Sequence, residues 1–203
     1  MDRRDPDGMR IPDLQTIERA KDGDLNAFED LFRETYGSIY SFVSYMVGKE
    51  EAKDITQEIY MRVWRSLKGL NSSTSFVPWL YRIATNICHD WARRRKRSGK
   101  VLSIDGGIKL YGTEDEELEF QVKDKSNLEE DFERIEILEM VKREVGNLPD
   151  IYKSVVIMHY LEGMEVGDIA KALGIPRGTA LSRLARAREI LKQRFGKYID
   201  GEV

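Results

Sequence analysis

The strongest constraint on this chain is helical apolar periodicity that fills two blocks and lapses between them. From Leu25 to Val47, "LNAFEDLFRETYGSIYSFVSYMV" places Leu25, Phe28, Leu31, Phe32, Ile39, Phe42, Val43 and Met46 at helical spacing, and Gly48 ends the run. "EEAKDITQEIYMRVWRSL" continues with Ala52, Ile55, Ile59, Val63 and Leu67 on one stripe. "LKGLNSSTS" is rich in turn formers. Ser75 is then placed to cap a helix carrying Pro78 in its first turn, "FVPWLYRIATNICHDWARRRKR", with Trp79, Ile83 and Ile87 expected inward. Residues 98–128 break the pattern: Gly99, Gly106, Gly107, Gly112, an acidic run and "DKSN" show no sustained period. Loops of about 30 residues are uncommon inside a compact domain, so this stretch is expected to separate two of them. Periodicity returns with "FERIEILEMVKREVGNLPDIYKSVVIMHYLEGM". The expected fold is all-α: two small helical domains joined by a flexible acidic linker. The expected boundaries are 1–12 for a disordered N-terminus, 13–97 for the first domain, 98–130 for the linker, 131–197 for the second domain and 198–203 for a tail.

Composition agrees with that division. A chain of 203 residues with 41% hydrophobic and 34% charged side chains suits small helical domains with much surface. Its lone cysteine, Cys88, excludes an intramolecular disulfide framework and fits a reducing compartment. "MDRRDPDGMR" is no signal peptide, and no stretch approaches the roughly 18 apolar residues of a membrane span. The expected location is the cytoplasm.

The net charge of -3 hides an alternation of sign. Arg93, Arg94, Arg95, Lys96 and Arg97 form an unbroken cationic run. Residues 113–131 are acidic, and 177–197 are basic again. A slightly acidic chain can therefore still present two nucleic-acid surfaces.

"VGDIAKALGIPRGTALSRLARAREILKQRF" has the pattern of a helix-turn-helix. Ile169, Ala170 and Leu173 edge a short helix, Gly174 permits a close turn, and Pro176 has the fixed φ of a first helical turn. A helix from Thr179 to Arg194 follows, with Leu184, Ala187 and Leu191 inward. Arg177, Ser182, Arg183 and Arg186 are outward or near its start, where long donors reach phosphates and guanine edges in a major groove.

"AKDITQEIYMRVW" followed by "FVPWLYRIATNICHDWARRR" resembles the sigma-two domain of extracytoplasmic-function (ECF) RNA polymerase sigma factors of the sigma-70 family. "LPDIYKSVVIMHYLEGMEVGDIAKALGIPRGTALSRLARAR" looks like their sigma-four domain. The resemblance covers roughly residues 13 to 197. It implies a dissociable initiation subunit that binds core bacterial RNA polymerase and promoter DNA, both duplex and melted non-template strand. It further implies a stress response and control by an anti-sigma factor.

By the same resemblance, Asp54, Gln57, Glu58 and Met61, which share one helix face, bind core polymerase. Asn71, Ser72, Ser73 and Thr74, in the loop that in the family captures a flipped base, serve the minus-ten element. So do Arg82, Asn86, Asp90, Arg93, Arg94 and Lys96 on the following helix. Arg177, Thr179, Ser182, Arg183 and Arg186 serve the minus-thirty-five element. Two departures bear on promoter preference: Leu181 stands where many members carry Lys or Arg, and Gly167 where many carry a polar residue.

No catalytic residue, cofactor or metal is expected. Cys88 and His89 are adjacent and point apart on a helix, with no second ligand pair nearby. His159, in an apolar helix, reads as structural. Two other readings stay open at this point: a helix-turn-helix repressor, and a helical adaptor that binds only protein.

Overall fold

The computed structural model describes residues 12–97, 137 and 139–199, with side chains to 196. The expected linker, all but the last residue of the expected N-terminal segment, residues 131–136 and 138 of the expected second domain and all but the first two residues of the expected tail lie outside the described residues. Among the described residues every regular element is helical.

Four helices build the first domain: α1 (Leu14–Lys21), α2 (Leu25–Val47), α3 (Lys49–Ser66) and α4 (Phe76–Arg97). Carboxylates start the first two. Asp13 accepts from the Gln15 and Thr16 amides, and Asp24 from those of Asn26 and Ala27. Those bonds, with Arg19 beside it, hold the Asp24 carboxyl below its ordinary range. Gly48 ends α2 at φ 93°, a conformation that strains any side chain. The expected loop is two 3₁₀ turns, Leu67–Gly69 and Ser73–Ser75.

The core joins Ile17, Leu31, Ile39, Phe42, Ile55, Ile59, Val63, Leu67, Phe76, Leu80 and Tyr81. Thr35 is buried there because its hydroxyl is satisfied by the Leu31 carbonyl (2.7 Å) and by the Tyr60 hydroxyl (2.8 Å). Periodicity overstated the buried faces of two helices. Leu25 and Phe32 are exposed, and on α4 the buried stripe is Phe76, Leu80, Tyr81, Ala84, Ile87 and Cys88. Trp79 and Ile83 are only half-buried. The α4 stripe is set by its fit against α2 and α3, and that fit admits the Tyr81 ring edge-on to Phe42 at 5.3 Å.

The second domain comprises α5 (139–146), α6 (Asp150–Val156), a π turn (Ile157–Leu161), α7 (Val166–Leu173) and α8 (Arg177–Ile199). Gly174, at φ 64°, caps α7 in the left-handed region, and the Pro176 carbonyl accepts from Thr179 and Ala180 to start α8. α8 therefore starts two residues before the expected Thr179 and runs five beyond the expected Arg194. Leu184 and Ala187 are buried and Leu191 half-buried. Arg194 ties α8 to the end of α5 through Glu144 (3.4 Å) and the Asn147 carbonyl (3.5 Å). The two domains pack together, with α7 lying on α4.

Candidate nucleic-acid interface

Four surfaces follow from this packing. On α3, burying Ala52, Ile55, Thr56, Ile59, Tyr60 and Val63 turns Asp54, Gln57, Glu58 and Met61 outward, and all four are exposed. Trp64 continues that face three residues past Met61 and stacks on Phe28 at 4.8 Å, while Phe32 sits edge-on to Tyr60 at 4.7 Å. Acidic and aromatic surface thus lie side by side. The sequence reading did not single out Trp64, although its spacing from Gln57 and Met61 carried the signal.

The loop after α3 presents Asn71, Ser72 and Thr74 to solvent, and the Ser72 and Thr74 hydroxyls bond each other at 2.8 Å. Ser73 differs from its neighbours. It is buried, and its hydroxyl donates to the Glu18 carboxylate on α1. That bond, with Lys21 adding to it, lowers the Glu18 carboxyl below its ordinary value. Ser73 anchors the loop rather than displaying a group, a role invisible in the sequence because Glu18 lies fifty-five positions away.

Along α4, Arg82, Asn86, Asp90, Arg93, Arg94 and Lys96 are exposed. Arg82, Asn86, Asp90 and Arg93 recur at three- and four-residue steps and so share a face. Asp90 pairs with Arg93, so part of that positive charge is already balanced. Arg95 departs from the rest of the run. It reaches back to Glu51 on α3 at 3.6 Å and lies over Trp91, 5.0 Å from the ring centroid. His89, half-buried toward the second domain, has its pKa lowered mainly by burial; Asp150 opposes that shift and Arg183 adds to it. Cys88 is buried, and burial pushes its thiol up to about 12, an inert state.

On α8, Arg177, Ser182 and Arg186 are exposed, with Thr179 and Arg183 half-buried. Thr179, Ser182, Arg183 and Arg186 share one face. The Ser182 hydroxyl bonds the Thr179 carbonyl at 2.9 Å, and Arg186 pairs with Glu189. Leu181 is 46% exposed, so the departure at this position falls on surface rather than core. Gly167 has open space around its Cα, and a polar side chain there would be accommodated. His159 Nδ1 lies 3.1 Å from the Met164 carbonyl.

Comparison with known proteins decides between the open readings. Residues 31–98 match the family model for sigma-70 region 2, and residues 138–191 that for sigma-70 region 4. The chain is 31% identical to the ECF RNA polymerase sigma factor SigW of Bacillus subtilis (strain 168) over 181 residues, 88% of this chain and 94% of that protein. The chain belongs to the ECF RNA polymerase sigma factors. It is also 27% identical to the ECF sigma-E factor of Haemophilus influenzae, over 92% of this chain and 96% of that protein.

Two solved structures share the fold. One is CnrH in complex with the cytosolic domain of CnrY (TM-score 0.63, 20% identity, 91% of this chain and 97% of that chain). The other is the sigma factor RpoE of Bartonella quintana in complex with the anti-sigma factor NepR (TM-score 0.61, 19% identity, 83% and 96%). This sigma factor is accordingly a non-enzymatic initiation subunit that binds core RNA polymerase and promoter DNA. Among the described residues no helix is long and apolar enough to cross a membrane.

Proposed function

We propose that this sigma factor acts in the cytoplasm with its work divided among these surfaces. The α3 face of Asp54, Gln57, Glu58 and Met61, flanked by Trp64 and Phe28, docks on core polymerase. The loop Asn71–Thr74 and the outward face of α4 take the minus-ten element, with Arg93, Arg94 and Lys96 on phosphates and the exposed loop amide and hydroxyls on a base that has left the stack. The start of α8 enters the major groove of the minus-thirty-five element with Arg177, Thr179, Ser182, Arg183 and Arg186.

The observation that carries this reading is the arrangement along α3, loop and α4. In chain order, the exposed residues pass from acidic and aromatic on α3 to small and polar in the loop to cationic at the end of α4, while the opposite faces of both helices are buried. Run-off transcription with purified core polymerase on a randomised promoter library tests it. Initiation from a defined pair of elements is expected, and core enzyme that initiates no more selectively with the chain than without it overturns the reading.

Control by an anti-sigma factor has a surface to act on. A groove of about 600 Å³ opens where Tyr45 of α2 meets Val141, Val145, Tyr160, Leu161, Leu191 and Phe195, with Lys142, Arg188 and Lys192 at its edge. An apolar floor with a cationic rim suits an amphipathic helix bearing acidic flanks. RpoE of Bartonella quintana, which shares the fold, was solved in complex with the anti-sigma factor NepR, and this supports a protein partner for the chain. Reversing Lys142, Arg188 and Lys192 to Glu should release the chain from its anti-sigma factor in a run-off inhibition assay while uninhibited activity persists. Undiminished inhibition would place the partner elsewhere.

A further inference from the structure

A buried polar contact crosses between the two domains, and none of the four surfaces uses it. The Tyr81 hydroxyl, at the centre of the first domain, donates to Glu162 Oε2 in the second at 2.8 Å. Tyr81 is 0% exposed and Glu162 6%. Glu162 follows the π turn and is faced by Tyr81 from α4 and by Ser38 and Tyr45 from α2. Among the described residues no lysine or arginine makes an ion pair with it.

Other ionisable groups are buried along the same seam. Lys153 of α6 lies against Cys88 and Lys96 of α4, with Asp150 beside it at 3.9 Å, and is 8% exposed. His89 of α4 faces Asp150 and Arg183, and its Nε2 is buried with no partner among the described residues.

The seam also bears on promoter access. A side chain at Gly174, the turn of the helix-turn-helix, would lie 3.8 Å from the Arg82 guanidinium. The minus-ten helix and the minus-thirty-five module are therefore in contact. Elements about 25 base pairs apart are separated by about 85 Å of duplex at about 3.4 Å per pair. A chain closed in this way cannot occupy both.

We infer that Tyr81 and Glu162 form a latch that holds the two domains of this sigma factor closed and unable to span a promoter, and that the closed state is favoured most when the buried Glu162 carries a proton. Burial raises the Glu162 carboxyl from its ordinary 4.5 to about 7, with the Tyr81 and Ser38 hydrogen bonds pulling part of the way back. The sign follows from linkage. The closed state binds the proton more tightly than the open one, so the contribution is complete below the open-state value and is lost as pH rises through 7. Between about pH 6 and about pH 8 the closed-to-open ratio should fall about tenfold from this group alone. His89 and Lys153 run the other way, because burial lowers both and favours their neutral forms in the closed state.

The test places a fluorescent donor and acceptor on the full chain at the exposed positions Glu29→Cys and Gln193→Cys, leaving the buried Cys88 unlabelled. The two latch variants should move in opposite directions at pH 8. Glu162→Gln mimics the protonated acid, still accepts from Tyr81, and should raise the closed-to-open ratio at least tenfold above the parent. Tyr81→Phe keeps the ring against Phe42, strips the donor from a buried carboxylate, and should lower that ratio. A His89→Gln background removes one opposing titration, and there transfer efficiency should fall from pH 6 to 8 and become flat or rising once Glu162→Gln is added. Opening by both variants, or a His89→Gln pH profile that adding Glu162→Gln leaves unchanged, overturns the latch. Circular dichroism confirms that each variant is folded. Domain distance is read without polymerase or promoter, so failure here is distinguishable from failure of the surface assignments.

Discussion

Arg95 is joined to Glu51 across 3.6 Å, fastening the end of α4 to the first turn of α3, and its guanidinium lies over Trp91. One arginine of a five-residue cationic run is thereby tied to the protein's own surface, while Arg93, Arg94 and Lys96 stay exposed. Alanine at each of those three should weaken promoter binding and reduce the salt dependence of affinity by about one counterion per lost phosphate contact. Arg95→Ala should leave the salt slope unchanged and lower stability by about 1 kcal/mol or less, because the pair is partly exposed. Titrations of the polymerase complex over a range of salt, beside denaturant melts, separate the two behaviours.

The α3 face makes a second prediction. Asp54→Lys with Glu58→Lys reverses two exposed charges on a helix whose other side is buried. Stability should change by no more than about 0.5 kcal/mol per site, while affinity for core polymerase falls at least tenfold. Trp64→Ala should weaken the same binding without altering net charge. Unchanged core affinity in both variants, with helical circular dichroism preserved, would remove this face from the docking surface.

Glu18 makes the third. Its carboxylate accepts the Ser73 hydroxyl and fixes the loop that displays Asn71, Ser72 and Thr74. Glu18→Ala should broaden base preference at the minus-ten element several-fold, measured as initiation across a randomised library. Core affinity should be spared, and Glu18→Gln, which retains an acceptor, should restore much of the preference. A library profile identical to the parent's would reduce the bond to a surface contact.

The fourth concerns α8. Arg177→Ala and Arg183→Ala should each cost roughly 1–3 kcal/mol at one position of the minus-thirty-five element if the side chain reads a base edge. A loss spread evenly over all sequences would make that residue a phosphate contact. Leu181→Arg adds a cation at an exposed position of the same helix and should strengthen binding and steepen the salt slope by about one.

Helix existence, the order of the two helical blocks and the outward faces of α3 and α8 were legible in the sequence alone, because each depends on periodicity within one segment. A three- or four-residue repeat reports which side of a helix must leave water, whatever it packs against, and so Asp54, Glu58, Arg177 and Arg186 could be placed outside from spacing alone. The turns were legible for a related reason: Gly48 and Gly174 occupy backbone conformations that other residues resist.

Facts between segments waited for the tertiary structure. Ser73 reads as one more small polar loop residue until α1 brings Glu18 beneath it. Arg95 reads as one cation of five until α3 supplies Glu51. Trp79, expected in the core, gives way to Tyr81 because the depth of a side chain depends on the shape of the partner helices as well as on its own polarity. Tyr81 and Glu162, eighty-one residues apart, are an aromatic in one helix and an acid after another until the domains close. A local repeat specifies only an axis and a wet side; which residues meet across the seam, and what burial does to their protons, depends on distances that only packing sets.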